Sequence, residues 1–377
     1  MKSSKLKSPG VQALISSIFC IIAGLLVAFI VLLFINASGA ANAIFQIMRN
    51  FFKYSSSNLR LRYLGNTLVK TVPLIMCALA VLFSYKVGLF NIGTPGQYCA
   101  GICAALFAAL KWHWGWLPCM ILAMLAGALL ASIVGVLKAY LNVNEVISGI
   151  MLNWITLYLT NTILSSVKDS ASPYTMKLKD VAPQAILPGL GLGKLFSNNQ
   201  YVTIAIPLAI IVAIAINIIM DKTMFGYELK ATGFNKNAAK YCGMAENRNI
   251  ILSLVISGMI AGLGAALFYL TGYAQYEVTT TSVPAMGFNG IAATFLGGLN
   301  PIGTLFSSYF IQHITDGGSN VDLSKFSSQT SDLISALIIY FCGFVLFIKI
   351  TLNKFIKRYE EKHHVKEFNI NDEGGNK

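Results

Sequence analysis

The chain has 377 residues, of which 55% are hydrophobic and 11% charged, with a formal charge of +13. Such a composition excludes a soluble globular domain of this length. It also excludes a nucleic-acid binder, which needs its cations on a water-exposed face, because here they cluster at the ends of apolar runs and read as membrane topology, with lipids as partners.

In chain order, Lys2, Lys5 and Lys7 precede an apolar run over 11–34. That run is too long for a signal peptide and ends on a weak cleavage pattern at 37–41, so it is predicted as a retained first span with a cytoplasmic N-terminus. An outer connection over 40–67 follows, with a surface helix around 44–52, and a second span covers 68–83. Gly88, Gly93, Pro95 and Gly96 then break the helical pattern before a third span that ends at Leu110. Broken backbone at membrane depth is tolerated only inside protein or beside a water-filled cavity.

Trp112, Trp114 and Trp116 form an interfacial turn, and the lone His113 there has no second metal ligand nearby in sequence. A fourth span is expected over 117–137 and a fifth over 145–164, followed by a long outer loop over 165–200 and a sixth span over 201–220. A seventh covers 250–270, with Gly258, Gly262 and Gly264 on closely packed faces. Residues 271–283 form an outer connection, 284–310 hold two short spans separated by GGLNPIG, and 332–350 form the last span. The fold class is therefore an all-α polytopic membrane protein with about ten transmembrane helices, some broken or half-spanning, and with both termini cytoplasmic. Residues 1–350 make one membrane domain and 351–377 a basic cytoplasmic tail. Of seven Cys, most lie in apolar runs (Cys20, Cys77, Cys103, Cys119, Cys342) and read as small buried hydrophobes.

Between the sixth and seventh spans, within 221–248, two short amphipathic helices are expected at the cytoplasmic surface. Gly226 and Gly233 punctuate them, Asn235 caps the second, and Gly243 ends it. One reading is an interfacial connector with Lys222, Lys230, Lys236, Lys240 and Arg248 among headgroups. The other is a docking element, because Ala231, Gly233, Ala238 and Ala239 permit close backbone approach where a lipid-facing helix would carry Leu or Phe.

Charged groups are almost absent from the apolar runs. Glu145 is the candidate, and Asn144 with Glu145 suits either a helix cap or a cytoplasmic gate. Uncharged candidates are Asn91, Thr94 and Gln97 in the broken segment, Asn153 and Trp154 within the fifth span, and Asn289 in GFNG. A buried Asn needs a partner, either a neighbouring helix or a ligand, and Trp154 with Tyr158 could stack on a flat solute or pack on a neighbour. No GxxxxGK[ST] motif occurs, so any hydrolysis that drives this protein happens on another chain.

Five blocks, GLFNIGTPGQ (88–97), NVNEVISGIMLNWI (142–155), GYELKATGFNKNAAKYCGM (226–244), SGMIAGLGAA (257–266) and GFNGIAATFLGGLNPIGTLF (287–306), resemble the permease subunits of ATP-binding-cassette importers. The likeness is to the type II branch that handles branched-chain amino acids and ribose, and especially to bacterial nucleoside and simple-sugar permeases. It implies a multi-pass protein of the bacterial cytoplasmic membrane that is not itself an enzyme. Its implied partners are a second permease, a different chain; cytoplasmic ATPases that use ATP and Mg; and an extracellular or periplasmic substrate-binding lipoprotein. This chain would bind no cofactor or metal. The solute pathway then falls to Asn91, Thr94, Gln97, Asn153, Trp154 and Asn289. ATPase coupling falls to Gly226, Glu228, Ala231, Gly233, Asn235, Ala238, Ala239, Tyr241 and Gly243, with Gly233 as the hinge of the coupling helix and Ala238 and Ala239 as its packing surface. Thr94 and Pro95 depart from the family's usual small and acidic pair. An ion-coupled secondary carrier and a non-transporting scaffold are the competing classes.

Overall fold

The computed structural model describes residues 9–322 without interruption and, beyond them, 324–326 and parts of 333–354. The lysines at 2, 5 and 7 and the basic tail beyond Lys354 lie outside the described residues, as does Cys342, and the span predicted over 332–350 is described only in part.

Twelve helices carry the architecture: α1 (Pro9–Asn36), α2 (Ala40–Arg49), α3 (Ser57–Tyr85), α4 (Thr94–Lys111), α5 (Trp116–Leu141), α6 (Glu145–Leu164), α7 (Ala205–Lys222), α8 (Met224–Phe234), α9 (Lys236–Tyr241), α10 (Glu246–Tyr269), α11 (Ala285–Leu296) and α12 (Pro301–Gly318). Only isolated bridges, Lys168 with Thr175 and Tyr174 with Glu277, represent extended pairing among the described residues. Six of the helices, α1, α3, α5, α6, α7 and α10, are long and apolar enough to cross a membrane.

The helices form a centre and a rim. In α3, 89% of the apolar window is buried inside the chain, against 22% in α1. So α3 is the post around which α10, α11 and α12 pack, while α1 shows Ile18, Phe19, Ile22 and Leu26 outward, as a lipid-facing helix does. The most extensive close packing among the described residues is between α5 and α10. A Cβ on Gly127 would lie 2.2 Å from the Gly258 carbonyl oxygen, and one on Gly262 would lie 2.2 Å from that of Ala123. Small residues there bring two backbones into contact, the usual device where lipid offers no hydrophobic drive to association.

Several boundaries differ from those expected. Helix α3 begins at Ser57, so the outer connection is shorter than 40–67 and the surface helix is α2 with a 3-10 turn over Asn50–Lys53. This segment docks inward: Asn50 donates to the His313 carbonyl at 3.2 Å, and Gly317 leaves room for the Ile47 carbonyl. Helix α5 runs on to Leu141, where Asn142 closes it in the left-handed conformation, so the following link is only three residues. The fifth predicted span matches α6 at both ends, fixed at its start by the Asn144 cap. The pair predicted over 284–310 forms α11 and α12, and α12 extends to Gly318.

Candidate functional site

The site begins at the break between α3 and α4. After Tyr85 the chain turns through Gly88 (φ +76°), runs non-helically to Gly93, and re-enters helix at Thr94 with Pro95 in its first turn. These freed backbone groups are buried and need partners. Asn91 supplies several: its Oδ1 accepts from the Gly93 amide at 3.0 Å, and its Nδ2 donates to Gln97 Oε1 at 2.9 Å and to Ser257 Oγ at 2.8 Å. Gln97 returns a bond from its Nε2 to Asn91 Oδ1 at 3.2 Å, and Ser257 donates to the Ala80 carbonyl at 2.7 Å. Thr94 donates to the Asn91 carbonyl at 3.0 Å.

Helix α6 closes the break from the other side. Asn153 accepts from the Gly96 amide at 2.8 Å and donates to the Ile92 carbonyl at 3.0 Å, so one side chain ties the end of the break to the first turn of α4. Gly149 lies against Gly93, and Gly287 of α11 against Pro95. The structure thus gathers Asn91, Thr94, Gln97 and Asn153 into one uncharged network, each 2% exposed or less. In this conformation their polar atoms are spent on the break and on one another.

The other two pathway candidates lie outside that network. Trp154 points from the exposed face of α6, 44% exposed, with its ring stacked on Tyr158 at 6.4 Å between centroids. Asn289, on α11, is half-buried, and its amide bonds to none of the described residues. At the start of α6, Asn144 accepts from the Val146 amide at 2.8 Å and Glu145 pairs with Lys138 at 2.8 Å. That is the geometry of a helix cap and an ion pair to the end of α5.

The two short helices expected between the sixth and seventh spans are α8 and α9. Thr223 caps α8 through the Gly226 amide, Asn235 caps α9 through the Ala238 amide at 3.0 Å, and Gly243 (φ +79°) ends it. They are tied to the adjoining long helices. Glu228 meets Arg248 at 3.3 Å, Lys230 meets Asp221 at 3.2 Å, and the buried Thr232 accepts from Asn249 at 3.0 Å. Gly226 packs on the carbonyl of Ile219, and Gly233 on Val87.

The outward face differs from the one the small residues suggested. Gly233 and Ala239 turn inward, Ala239 being only 3% exposed, and Ala231 is half-buried; of the small residues, Ala238 is the one on the surface. Beside the exposed Lys236, Asn237 and Lys240, α8 and α9 present outward Met224, Tyr227, Phe234 and Tyr241, the last two more than 90% exposed. Inward small residues make sense here because the helices must approach their own chain's backbone before they can present anything to another.

Sequence reasoning missed three features. Ser257 joins α10 to the break, and Asn249 joins α10 to α8; Ser257 is a polar residue within the apolar part of α10, whereas Asn249 is masked by the polar first turn it shares with Glu246, Asn247 and Arg248. The third is a charge pair. Lys70 of α3 meets Asp316 of α12 at 3.0 Å, and Thr67 (2.9 Å) and Gln312 (3.0 Å) also donate to that carboxylate. Glu145 is therefore not the sole acid of note, and Lys70, placed inside a predicted span, was the visible half of the pair.

Residues 63–343 match the family described as branched-chain amino acid transport system / permease component. The chain belongs to this permease family. All five sequence blocks quoted above fall within the matched residues. The permease is 34% identical over 301 residues to the guanosine ABC transporter permease protein NupP of Bacillus subtilis, covering 78% of this chain and 85% of that one. It is 33% identical to the nucleoside ABC transporter permease protein NupB of Lactococcus lactis, covering 78% and 82%. It is 29% identical to the glucose ABC transporter permease protein TsgB13 of Haloferax volcanii, covering 78% of each. No solved structure matches it. The permease is thus a multi-pass, non-catalytic membrane subunit of an ATP-binding-cassette importer.

Proposed function

We propose that the permease forms one side of the pathway of a nucleoside importer and passes ATP-driven movement to that pathway through α8 and α9. The observation that carries the coupling is the seat of Gly233 on the backbone of Val87, at the entrance to the break. A push on the exposed aromatic face of α8 and α9 is delivered there without an intervening side chain. The ATPase docks on that face, with Phe234 and Tyr241 as anchors. A second, different permease packs on the exposed face of α6, where Trp154 and Tyr158 stand ready to stack on a flat solute, and α11 adds Asn289, whose side-chain amide has no partner among the described residues.

The outer loops over 165–200 and 271–283 receive the substrate-binding lipoprotein. About ten spans, counting α4, α11, α12 and the helix beyond 332, place both termini in the cytoplasm of a bacterial cell. The Bacillus and Lactococcus relatives support the nucleoside reading, as does a network of amides and hydroxyls without a charge. The Haloferax relative supports a simple sugar as the second reading.

The test is uptake of labelled uridine, adenosine and guanosine by vesicles holding the complete assembly. Saturable ATP-dependent uptake of a nucleoside supports the proposal. Movement of glucose or ribose with no nucleoside uptake establishes the second reading, and ion-driven uptake without an ATPase removes both.

A further inference from the structure

A pocket of about 630 Å³ lies away from the break, at the end of α3 and between α1 and the α11–α12 turn. One wall is apolar: Ile18 of α1, 48% exposed, and Phe306 of α12, 72% exposed, flank it together with Phe310. The other wall holds Lys86, just past α3, and Lys349.

Neither lysine has a carboxylate within ion-pair distance among the described residues. The nearest acid felt by Lys86 is Asp221, which is already engaged with Lys230. Burial holds the Lys86 ammonium below the ordinary lysine range; Asp221 pulls it back up, and Lys230 and Lys349 push it down again. Two like charges in one pocket repel unless an anion sits between them.

We propose that this pocket binds one anionic phospholipid, its phosphate between Lys86 and Lys349 and its acyl chain along Ile18, Phe306 and Phe310. The two walls decide the ligand class. A free phosphate would satisfy the lysines and leave the apolar wall unused, and a zwitterionic lipid would bring its own cation into a site that already has two. An anionic lipid matches both, and basic pockets between membrane helices are where such headgroups bind. The site also adjoins the transmission path, since Lys86 precedes the Val87 on which Gly233 rests.

The experiment is native mass spectrometry of the complete assembly, purified in mild detergent and titrated with phosphatidylglycerol, phosphatidylcholine or inorganic phosphate. The expected result is one tightly held phosphatidylglycerol per permease chain, with phosphatidylcholine bound far more weakly. Inorganic phosphate should leave that lipid in place. Lys86→Gln or Lys349→Gln should weaken retention about fivefold and the double variant about thirtyfold, at roughly a factor of five per lysine, while Lys86→Arg with Lys349→Arg restores it. Equal binding of both lipids, displacement by inorganic phosphate, or unchanged retention in the double glutamine variant would each overturn the proposal. Should the glutamine variants fail to assemble, the lipid preference of the unaltered assembly still decides between the outcomes.

Discussion

Gly233 of α8 lies so close to Val87 that a Cβ on it would fall 2.6 Å from the Val87 carbonyl carbon, and the reverse approach, from Gly88, would meet the Gly233 carbonyl oxygen at 3.1 Å. No real Cβ sits at the first distance, and both obstacles are backbone. Gly233→Ala therefore lifts α8 from the α3–α4 turn. The expected outcome is normal insertion and ATPase binding with at least tenfold loss of substrate-stimulated hydrolysis, measured on the reconstituted assembly. Gly243→Ala serves as the control: nothing lies within 4 Å of the added methyl, so its effect is confined to local strain of about 1 kcal/mol.

The exposed aromatics of α8 and α9 give the complementary result. Phe234→Ala and Tyr241→Ala leave the permease fold intact, because both rings are more than 90% exposed in the isolated chain. Each should cost about 2 kcal/mol of ATPase affinity, roughly thirtyfold, as loss of an interface anchor does. Co-purification of the ATPase with tagged variants reads this directly. Ala238→Glu on the surface should weaken binding in the same way, whereas Ala239→Glu should first disturb the seat of α9 in its own chain.

Asn153 and Trp154 are neighbours in sequence with opposite expected behaviour. Asn153→Ala strands the Gly96 amide and the Ile92 carbonyl, at about 1–3 kcal/mol for each buried unpaired group, so assembly yield and transport should fall together. Trp154→Leu removes a half-exposed ring that stacks only on Tyr158, so yield should hold while uptake falls. Fluorescence-detected size-exclusion chromatography beside uptake separates the two.

Asp316→Asn tests the charge pair between the middle of α3 and the end of α12. The change leaves Lys70 without its counter-charge and weakens the bonds from Thr67 and Gln312. The Lys70 side chain is 32% exposed in the isolated chain, and the penalty is discounted accordingly to about 1–3 kcal/mol. Thermal unfolding in detergent should fall by several degrees, and Lys70→Met with Asp316→Leu should recover much of the loss.

Much of this architecture was legible because local chemistry sets it. Asn144, Asn235 and Gly243 mark helix ends from sequence, and the structure uses each as a cap or a terminator. The run Gly88 to Gly96 announced a break because three glycines and a proline cluster within nine residues, whereas isolated ones such as Pro73 and Gly262 sit inside continuous helices. Less legible was which side of a short helix faces its own protein. Gly233 and Ala239 are small for the sake of an intramolecular contact, and sequence alone does not distinguish that from room left for a partner. The Asn91 network was hidden for a related reason. Its members are 166 residues apart at the extreme, Asn91 to Ser257, and no local period links them. Lys70 and Asp316, 246 residues apart, were out of reach in the same way.

Two hydrogen bonds from the single Asn153 side chain fasten α6 to the break and to the helix that follows it. Its oxygen holds the Gly96 amide in the first turn of α4, and its nitrogen holds the Ile92 carbonyl inside the break. Any sliding of α6 past α4 would expose a donor and an acceptor at once in a place without water, at several kcal/mol together. Under the proposed function, α6 and the start of α4 are expected to move as one rigid body during alternating access, and cross-linking α6 to the start of α4 through paired cysteines should then leave uptake intact.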